Sequence, residues 1–386
     1  MHPTRCYWLY QCRRLCYFIF MQSHIRHRIH NIRQTFEKAN IDTLLVSIAE
    51  NRMYLSGFTG QDTGFDESAG VLLISGDHLV LATDSRYEIQ AQQEAQDFEV
   101  ICYKKGLAKE LPGILEKLGT SRLGFERRRM SVSQYDMIRE QLTSVELVPA
   151  DNLCENLREC KEEAEIKAIR NSLHLAESAF SDFLENLESG MSEARAAWEI
   201  ERRMREAGAR SVSFPVIAAF SANAALPHAI PSERLMENSQ PLLFDWGAVL
   251  NGYCSDISRT IVLGRADDTF KKVFTAVYDA QQKAVEAIRP GVWTKDIDAA
   301  ARNHLQEKGL DEYFGHGLGH GVGLAIHEAP SLSPVTERNV ELKENMVFTI
   351  EPGVYLPDWG GVRLENMVVV RANGAEVLNS LDVKLF

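Results

Sequence analysis

At 386 residues, with 45% hydrophobic and 25% charged side chains, the chain has the make-up of a globular protein long enough for two domains. Its 42 Lys and Arg against 54 Asp and Glu leave a formal net charge of -12, with no run of five basic residues. That balance excludes a nucleic-acid-binding protein held by phosphate contacts.

The first residues, MHPTRCYWLYQCRRLCYFIF, carry three of the seven cysteines (Cys6, Cys12, Cys16), many aromatics and no acid. Arg13-Arg14 suggest a twin-arginine signal. However, the apolar run that follows is short and ends in Gln-Ser-His rather than a small-residue cleavage site, so neither a signal peptide nor a membrane span fits. The expectation is that residues 1–20 are an extension and that translation begins at Met21. Cys102, Cys154, Cys160 and Cys254 show no CxxC or Cys/His spacing, which points to free thiols in the cytoplasm.

Residues 22–40 read as a helix, followed by the apolar strand Thr43–Ser47 and strand-like runs at Gly70–Ile74, His78–Ala82 and Phe98–Cys102. Helical stretches over Tyr87–Gln96 and Ala108–Lys117 alternate with them, which predicts an α/β layer domain over 21–155. Glu155–Leu187 is a long amphipathic stretch with Ile166, Ile169, Leu173 and Ala176 at helical spacing. A second domain is therefore placed over 156–386. In it a helix over Ser192–Ala207 starts at the N-cap Ser192, and from Phe214 strands and hairpins take over, interrupted by helices at 267–288 and 294–308.

Three segments carry chemistry. In FDWGAVLNGYCSDISRT the pair Asn251-Gly252 is a preferred two-residue hairpin turn, which sets residue 250 against 253 and 247 against 256. Asp245 and Asp256 then become diagonal neighbours on one sheet face, close enough to share an ion or ion pair; two solvated strand carboxylates are the plainer alternative. In HGLGHGVGLAIHE, glycines alternate around His316, His320 and His327. The strand, lysine and helix of a phosphate loop are missing, so the glycines are read as permitting close backbone packing while the imidazoles serve as ligands or acid/base groups. In MVFTIEPGVY and GGVRLENMVV, Glu351 and Glu365 each punctuate an apolar strand, with turn residues Asp358–Gly361 between them. A carboxylate in such a setting is costly unless paired or metal-bound. Arg363, two residues before Glu365, points to the same face and offers a structural Arg–Glu pair as the alternative.

Four carboxylates with histidine suit divalent ions such as Mn²⁺, Co²⁺ or Zn²⁺, and they balance two of them in charge. A water between two such ions is acidified toward hydroxide, which gives a two-metal hydrolase acting on a carbonyl or phosphoryl centre.

From residue 22 onward the chain resembles the M24 metallopeptidases: Xaa-Pro aminopeptidases, Xaa-Pro dipeptidases (prolidases), methionine aminopeptidases and creatinases. The resemblance implies a creatinase/prolidase-type α/β N-terminal domain, carried by NRMYLSGFTG (51–60) and TDSRY (83–87), and an α+β pita-bread catalytic domain. It implies Asp245, Asp256, His320, Glu351 and Glu365 as metal ligands, with Asp256 and Glu365 bridging and Mn²⁺ as the leading metal. It further implies Glu351 as general base, His228 (in ALPHAIP) binding substrate near the scissile bond, His327 steadying the tetrahedral intermediate, and His316 and Arg363 either supporting the ligands from behind or lining the proline pocket. The function expected is Xaa-Pro aminopeptidase on peptides with proline second, acting through a metal-bridging hydroxide. A prolidase is the alternative, and a creatinase-like amidinohydrolase or a non-catalytic binding protein on the same fold is more distant. A homodimer, without nucleic-acid or membrane partners, is expected.

Overall fold

The computed structural model describes residues 24–383 apart from 63, 65, 66, 336 and 338. The extension over 1–20 lies outside the described residues. The chain divides into two compact units, one ending at Leu157 and the other starting at Arg158.

In the first unit β1 (Thr43–Val46), β2 (Val71–Ser75), β3 (Leu79–Thr83), β4 (Glu99–Cys102), β5 (Arg122–Phe125) and β6 (Glu146–Pro149) form one sheet. Its order is β4-β3-β2-β1-β5-β6. β2 runs antiparallel to both neighbours and the remaining pairs are parallel. β1 and β2 are buried along their whole length, as strands covered on both faces must be. The helix expected over 22–40 is instead two pieces, 24–33 and Phe36–Ala39, parted by a turn at 34–35. The Thr35 hydroxyl bonds back to the Ile32 carbonyl at 2.6 Å, the local competition by which Thr interrupts a helix. Two strands, β5 and β6, and the helix Val132–Gln141 were not expected from the sequence. Both strands are short and begin on a charged residue, so they lack the apolar run that announces the others.

The stretch 155–187 breaks at Cys160–Glu162, and a long helix begins only at Glu163 and runs to Leu184. Glu162 and Glu165 each accept the other's backbone N–H, a reciprocal cap that fixes this start. Helix Glu193–Glu206 follows, capped by the Ser192 side chain on Arg195 N–H.

The strands β7 (Ser211–Val212), β8 (Ile217–Phe220), β9 (Pro241–Trp246), β10 (Ala248–Leu250), β11 (Tyr253–Cys254) and β12 (Ile257–Val262) make two small sheets, β11-β10-β7 and β12-β9-β8. A five-stranded sheet follows in the order β14-β13-β15-β18-β19. Its members are β13 (Gly319–Gly321), β14 (Glu328–Leu332), β15 (Val347–Ile350), β18 (Asn366–Arg371) and β19 (Gly374–Val377). The hairpin β16 (Gly353–Leu356) and β17 (Gly360–Arg363) lies between β15 and β18 in sequence.

Two cores flank these sheets. Helix Asp268–Ala287 presents Phe270, Val273, Phe274, Val277, Ala280 and Ala284 at helical period. Together with Ile297, Ala301 and Leu305 of helix Thr294–Glu307 they cover Phe348, Ile350, Val368 and Val370 of the five-stranded sheet. Phe244 meets Phe180, Phe183 and Phe220, while Trp246 stacks on Phe180 at 3.9 Å and donates its indole N–H to the Ala176 carbonyl. Successive strand residues point to opposite faces, so each core dictates what the opposite face displays.

Candidate metal centre and active site

On β9, Phe244 and Trp246 belong to the aromatic cluster, which leaves Asp245 on the other face. β12 pairs with β9 so that Ser258 lies opposite Asp245, and Leu250 lies opposite Tyr253 across the Asn251-Gly252 turn, the register read from sequence. Asp256 is therefore the diagonal neighbour of Asp245. The same alternation works in the larger sheet. Phe348 and Ile350 enter the helical core, which turns Thr349 and Glu351 away from it; Val368 and Val370 do likewise for Met367 and Glu365.

His320 is central on β13, between β14 and β15. The glycines around it are required by proximity. A Cβ on Gly319 would stand 2.0 Å from the Thr349 carbonyl oxygen, and one on Gly321 would stand 2.1 Å from that of Ala329.

Ligand atoms of Asp256, His320 and Glu365 lie within 4.8 Å of one another, and Asp256 and Glu365 are only 5% and 1% exposed. His320 Nε2 stands 3.5 Å from an oxygen of Asp256 and 3.5 Å from one of Glu351. The Thr349 hydroxyl lies 3.2 Å from Glu351 Oε1 and accepts the His320 backbone N–H at 3.1 Å. Asp245 stands apart from the three-residue group. Its Oδ2 accepts from Arg363 at 2.7 Å, while its Oδ1 is buried without a partner.

The charge state of this cluster follows from its surroundings. Burial, then Glu365 and the other carboxylates, raise Asp256 well above the ordinary range. Burial, then Glu351 and Asp245, do the same for Glu365, and burial brings Glu351 to about 7. Burial lowers His320, keeping the ring neutral. Its Nδ1 faces the Gly321 carbonyl at 3.1 Å and must carry the hydrogen, so the bare Nε2 faces carboxylate oxygens. The buried and unpartnered Asp245 Oδ1 and Glu365 Oε1, with the bare His320 Nε2 turned toward the same cluster of carboxyl groups, fit a cation held among these residues. The set of four carboxylates and one imidazole suits divalent ions that favour oxygen.

Arg363 corrects a sequence expectation. It does not pair with Glu365: Ser258 stands between them, accepting from Arg363 Nε at 2.8 Å and donating to Glu365 Oε2 at 2.8 Å. The guanidinium also reaches the Pro227 carbonyl, the Tyr355 hydroxyl and Asp245. Tyr355 lies 2.9 Å from His316 Nε2, and His316 Nδ1 faces the Gly317 carbonyl at 2.8 Å. Burial lowers His316 to about 4, so the neutral ring accepts the phenol hydrogen. Ser258, Tyr355 and Thr349 were not singled out from sequence. The pairing of Ser258 opposite Asp245 was available in the hairpin register and is the one signal that could have found it.

His327 packs edge-on against His320, with ring centroids 4.3 Å apart; burial first, then His320 and His228, lower it. Its neighbour Glu328 is held by Lys161 at 2.8 Å and by Arg158. All nine residues named from sequence (His228, Asp245, Asp256, His316, His320, His327, Glu351, Arg363 and Glu365) line one cavity of about 720 Å³. Phe214, Ile217 and Ile230 add apolar wall.

An α/β unit followed by sheets that converge carboxylates and imidazoles on a cavity defines a hydrolase-like metal centre. The profile of metallopeptidase family M24 matches residues 167–372, and that of the creatinase/prolidase N-terminal domain matches 28–160. The chain belongs to the M24 metallopeptidases and has the pita-bread catalytic fold of its structural neighbours. It is 33% identical to the Xaa-Pro dipeptidase of Pyrococcus furiosus, over 94% of this chain and 100% of that one. Among solved structures, the Xaa-Pro dipeptidase from Bacillus anthracis superposes with a TM-score of 0.88 at 36% identity, over 93% of this chain and 99% of that one. The X-Pro aminopeptidase from Thermotoga maritima gives 0.83 at 35% identity, over 91% and 99%. No helix among the described residues is long and apolar enough to cross a membrane.

Proposed function

We propose that the chain is a dinuclear metal-dependent aminopeptidase that removes the first residue of peptides with proline second. The observation that carries this reading is the convergence of four carboxylates and His320 in one cavity, with two carboxylate oxygens buried and unpartnered. Asp245, Asp256, His320, Glu351 and Glu365 would hold the ions. Bound there, the ions would supply an acidified water and polarise the scissile carbonyl. Glu351, on the cavity wall beside His320, is placed to take the proton of the attacking water. The water oxygen bonds to the carbonyl carbon, the bond to the proline nitrogen breaks, and that nitrogen leaves with a proton. His327, kept neutral, donates an N–H to the tetrahedral intermediate, and His228 steadies the substrate beside the scissile bond. His316 and Arg363 line the proline pocket, and the Tyr355 hydroxyl behind them links the two.

The preference for peptides over dipeptides rests on charge. Among the described lining residues Arg363 is the one Lys or Arg, and its guanidinium is engaged by Asp245, Ser258, Tyr355 and Pro227. A proline carboxylate would find no free cation there. A dipeptidase is the second reading, supported by relatives that bear that name. Comparing kcat/KM on Ala-Pro-Ala and Ala-Pro decides: the tripeptide is the better substrate for the aminopeptidase, and cleavage of the dipeptide alone establishes the alternative. Oxygen-rich ligation favours Mn²⁺ as the native metal, with Co²⁺ or Zn²⁺ as substitutes. The lack of any CxxC or Cys/His spacing among Cys102, Cys154, Cys160 and Cys254 supports a cytoplasmic location, and family likeness supports a homodimer, which light scattering on the eluting protein would test.

A further inference from the structure

His228 sits on the segment that joins β8 to β9, is exposed as a residue, and lines the cavity. Among the described residues its ring has no hydrogen-bond partner, so the backbone must set its place. At the base of this segment lies Glu193, the first residue of helix Glu193–Glu206 and fully buried. Its Oε1 accepts the Phe220 N–H at 2.7 Å, where the segment departs. Its Oε2 accepts from Asn223 Nδ2 at 2.8 Å, and from the Ser232 N–H and hydroxyl at 2.9 and 2.5 Å, where the segment returns. Backbone bonds reinforce the closure, from Glu193 N–H to the Arg234 carbonyl and from Ala194 N–H to that of Ser232. Farther along, Ala224 and Ala229 pack against Ile217, Leu243 and Tyr355, and the Pro227 carbonyl meets Arg363.

One carboxylate thus ties both ends of a loop whose tip carries a histidine with no hydrogen bond of its own ring among the described residues. We infer that Glu193 is a positioning residue for His228: it closes the 220–232 loop so that the imidazole is held over the cavity before substrate arrives. This rests on the assignment of His228 to the substrate. Charge matters as well as shape. A carboxylate offers acceptors only, whereas a glutamine turns its NH₂ against at least one of the N–H donors that Glu193 now receives. A buried donor left unmet there favours loop arrangements in which the ring wanders, and a displacement of about 1 Å costs on the order of 10²-fold in rate.

The test is a double-mutant cycle of Glu193→Gln and His228→Ala in the metal-loaded full chain, read as kcat and KM on Ala-Pro-Ala, with bound metal and amide hydrogen exchange measured alongside. The expected result for Glu193→Gln is a fall in kcat of about 10- to 100-fold, with KM and metal content little changed and faster exchange at Phe220 and Ser232. In the His228→Ala background the same change should cost less than about twofold. If His228→Ala alone turns over like wild type, the assignment of His228 fails and this inference with it. If His228→Ala is impaired but Glu193→Gln is not, or if the two losses multiply, the assignment stands and the clamp is refuted. Should Glu193→Gln not fold, Asn223→Ala and Ser232→Ala each remove part of the clamp; smaller losses that vanish beside His228→Ala support it, and losses that persist there overturn it.

Discussion

Four carboxylates share one cavity with a single committed arginine, and that imbalance governs how the site responds to protons. Asp256 and Glu365 are raised well above the carboxylate range by burial and by their neighbours, and Glu351 to about 7. Raised folded-state values mean that the fold retains protons which the unfolded chain releases. That stabilisation is complete below the unfolded value of 4.5 for Glu and is lost as pH rises through about 7. The melting temperature of chelator-treated protein should therefore fall from pH 4.5 toward neutrality, and Mn²⁺ should abolish most of the fall while releasing protons. A flat profile in stripped protein would contradict the assignment. Ser258 is tested separately. Replacing it with Ala severs the relay between Arg363 and Glu365, and Mn²⁺ affinity by calorimetry should drop roughly 10- to 100-fold. Arg363→Met leaves Asp245 uncompensated among like charges; urea unfolding of the stripped protein should show a loss of about 3–5 kcal/mol.

At the scale of elements, the site is the face each strand is left with once its core face is filled. β9 commits Phe244 and Trp246 to the aromatic cluster, and β15 commits Phe348 and Ile350 to the helices; Asp245 and Glu351 follow. This is why much of the candidate site was legible in the sequence: Asn251-Gly252 fixes a register, and strict alternation converts register into facing. Glycine spacing around His320 was equally readable, because close backbone approach leaves few other residues possible. Gly319→Ala drives a methyl to within 2.0 Å of the Thr349 carbonyl oxygen, so β13 must part from β15 and carry His320 with it. A loss of about 1–3 kcal/mol in thermal unfolding and weaker Mn²⁺ binding are expected; wild-type values for both would show that the packing is slack. What was not legible depended on reach. Spacing places Arg363 on the Glu365 side but says nothing of Ser258, which arrives from β12 and diverts the guanidinium to Asp245. Likewise β5 and β6 escaped because partners distant in sequence, rather than their own residues, make them strands.

For the molecule as a whole, membership of the M24 metallopeptidases rests on matches to both of its units, and the cavity brings every residue named from sequence to one place. The need for a dedicated site follows from proline itself, which has no backbone N–H and a fixed φ, and so denies ordinary peptidases the donor they grip. We propose that the protein, with metal held by these carboxylates, cleaves before proline. The measurement that tests it most directly is hydrolysis of Ala-Pro-Ala and Ala-Ala-Ala by chelator-stripped protein, before and after Mn²⁺ is restored. Cleavage of Ala-Pro-Ala alone, absent before the metal and present after it, and abolished in Asp256→Ala and Glu365→Ala, is the predicted result. Turnover that survives stripping, or equal cleavage of the proline-free peptide, would contradict it.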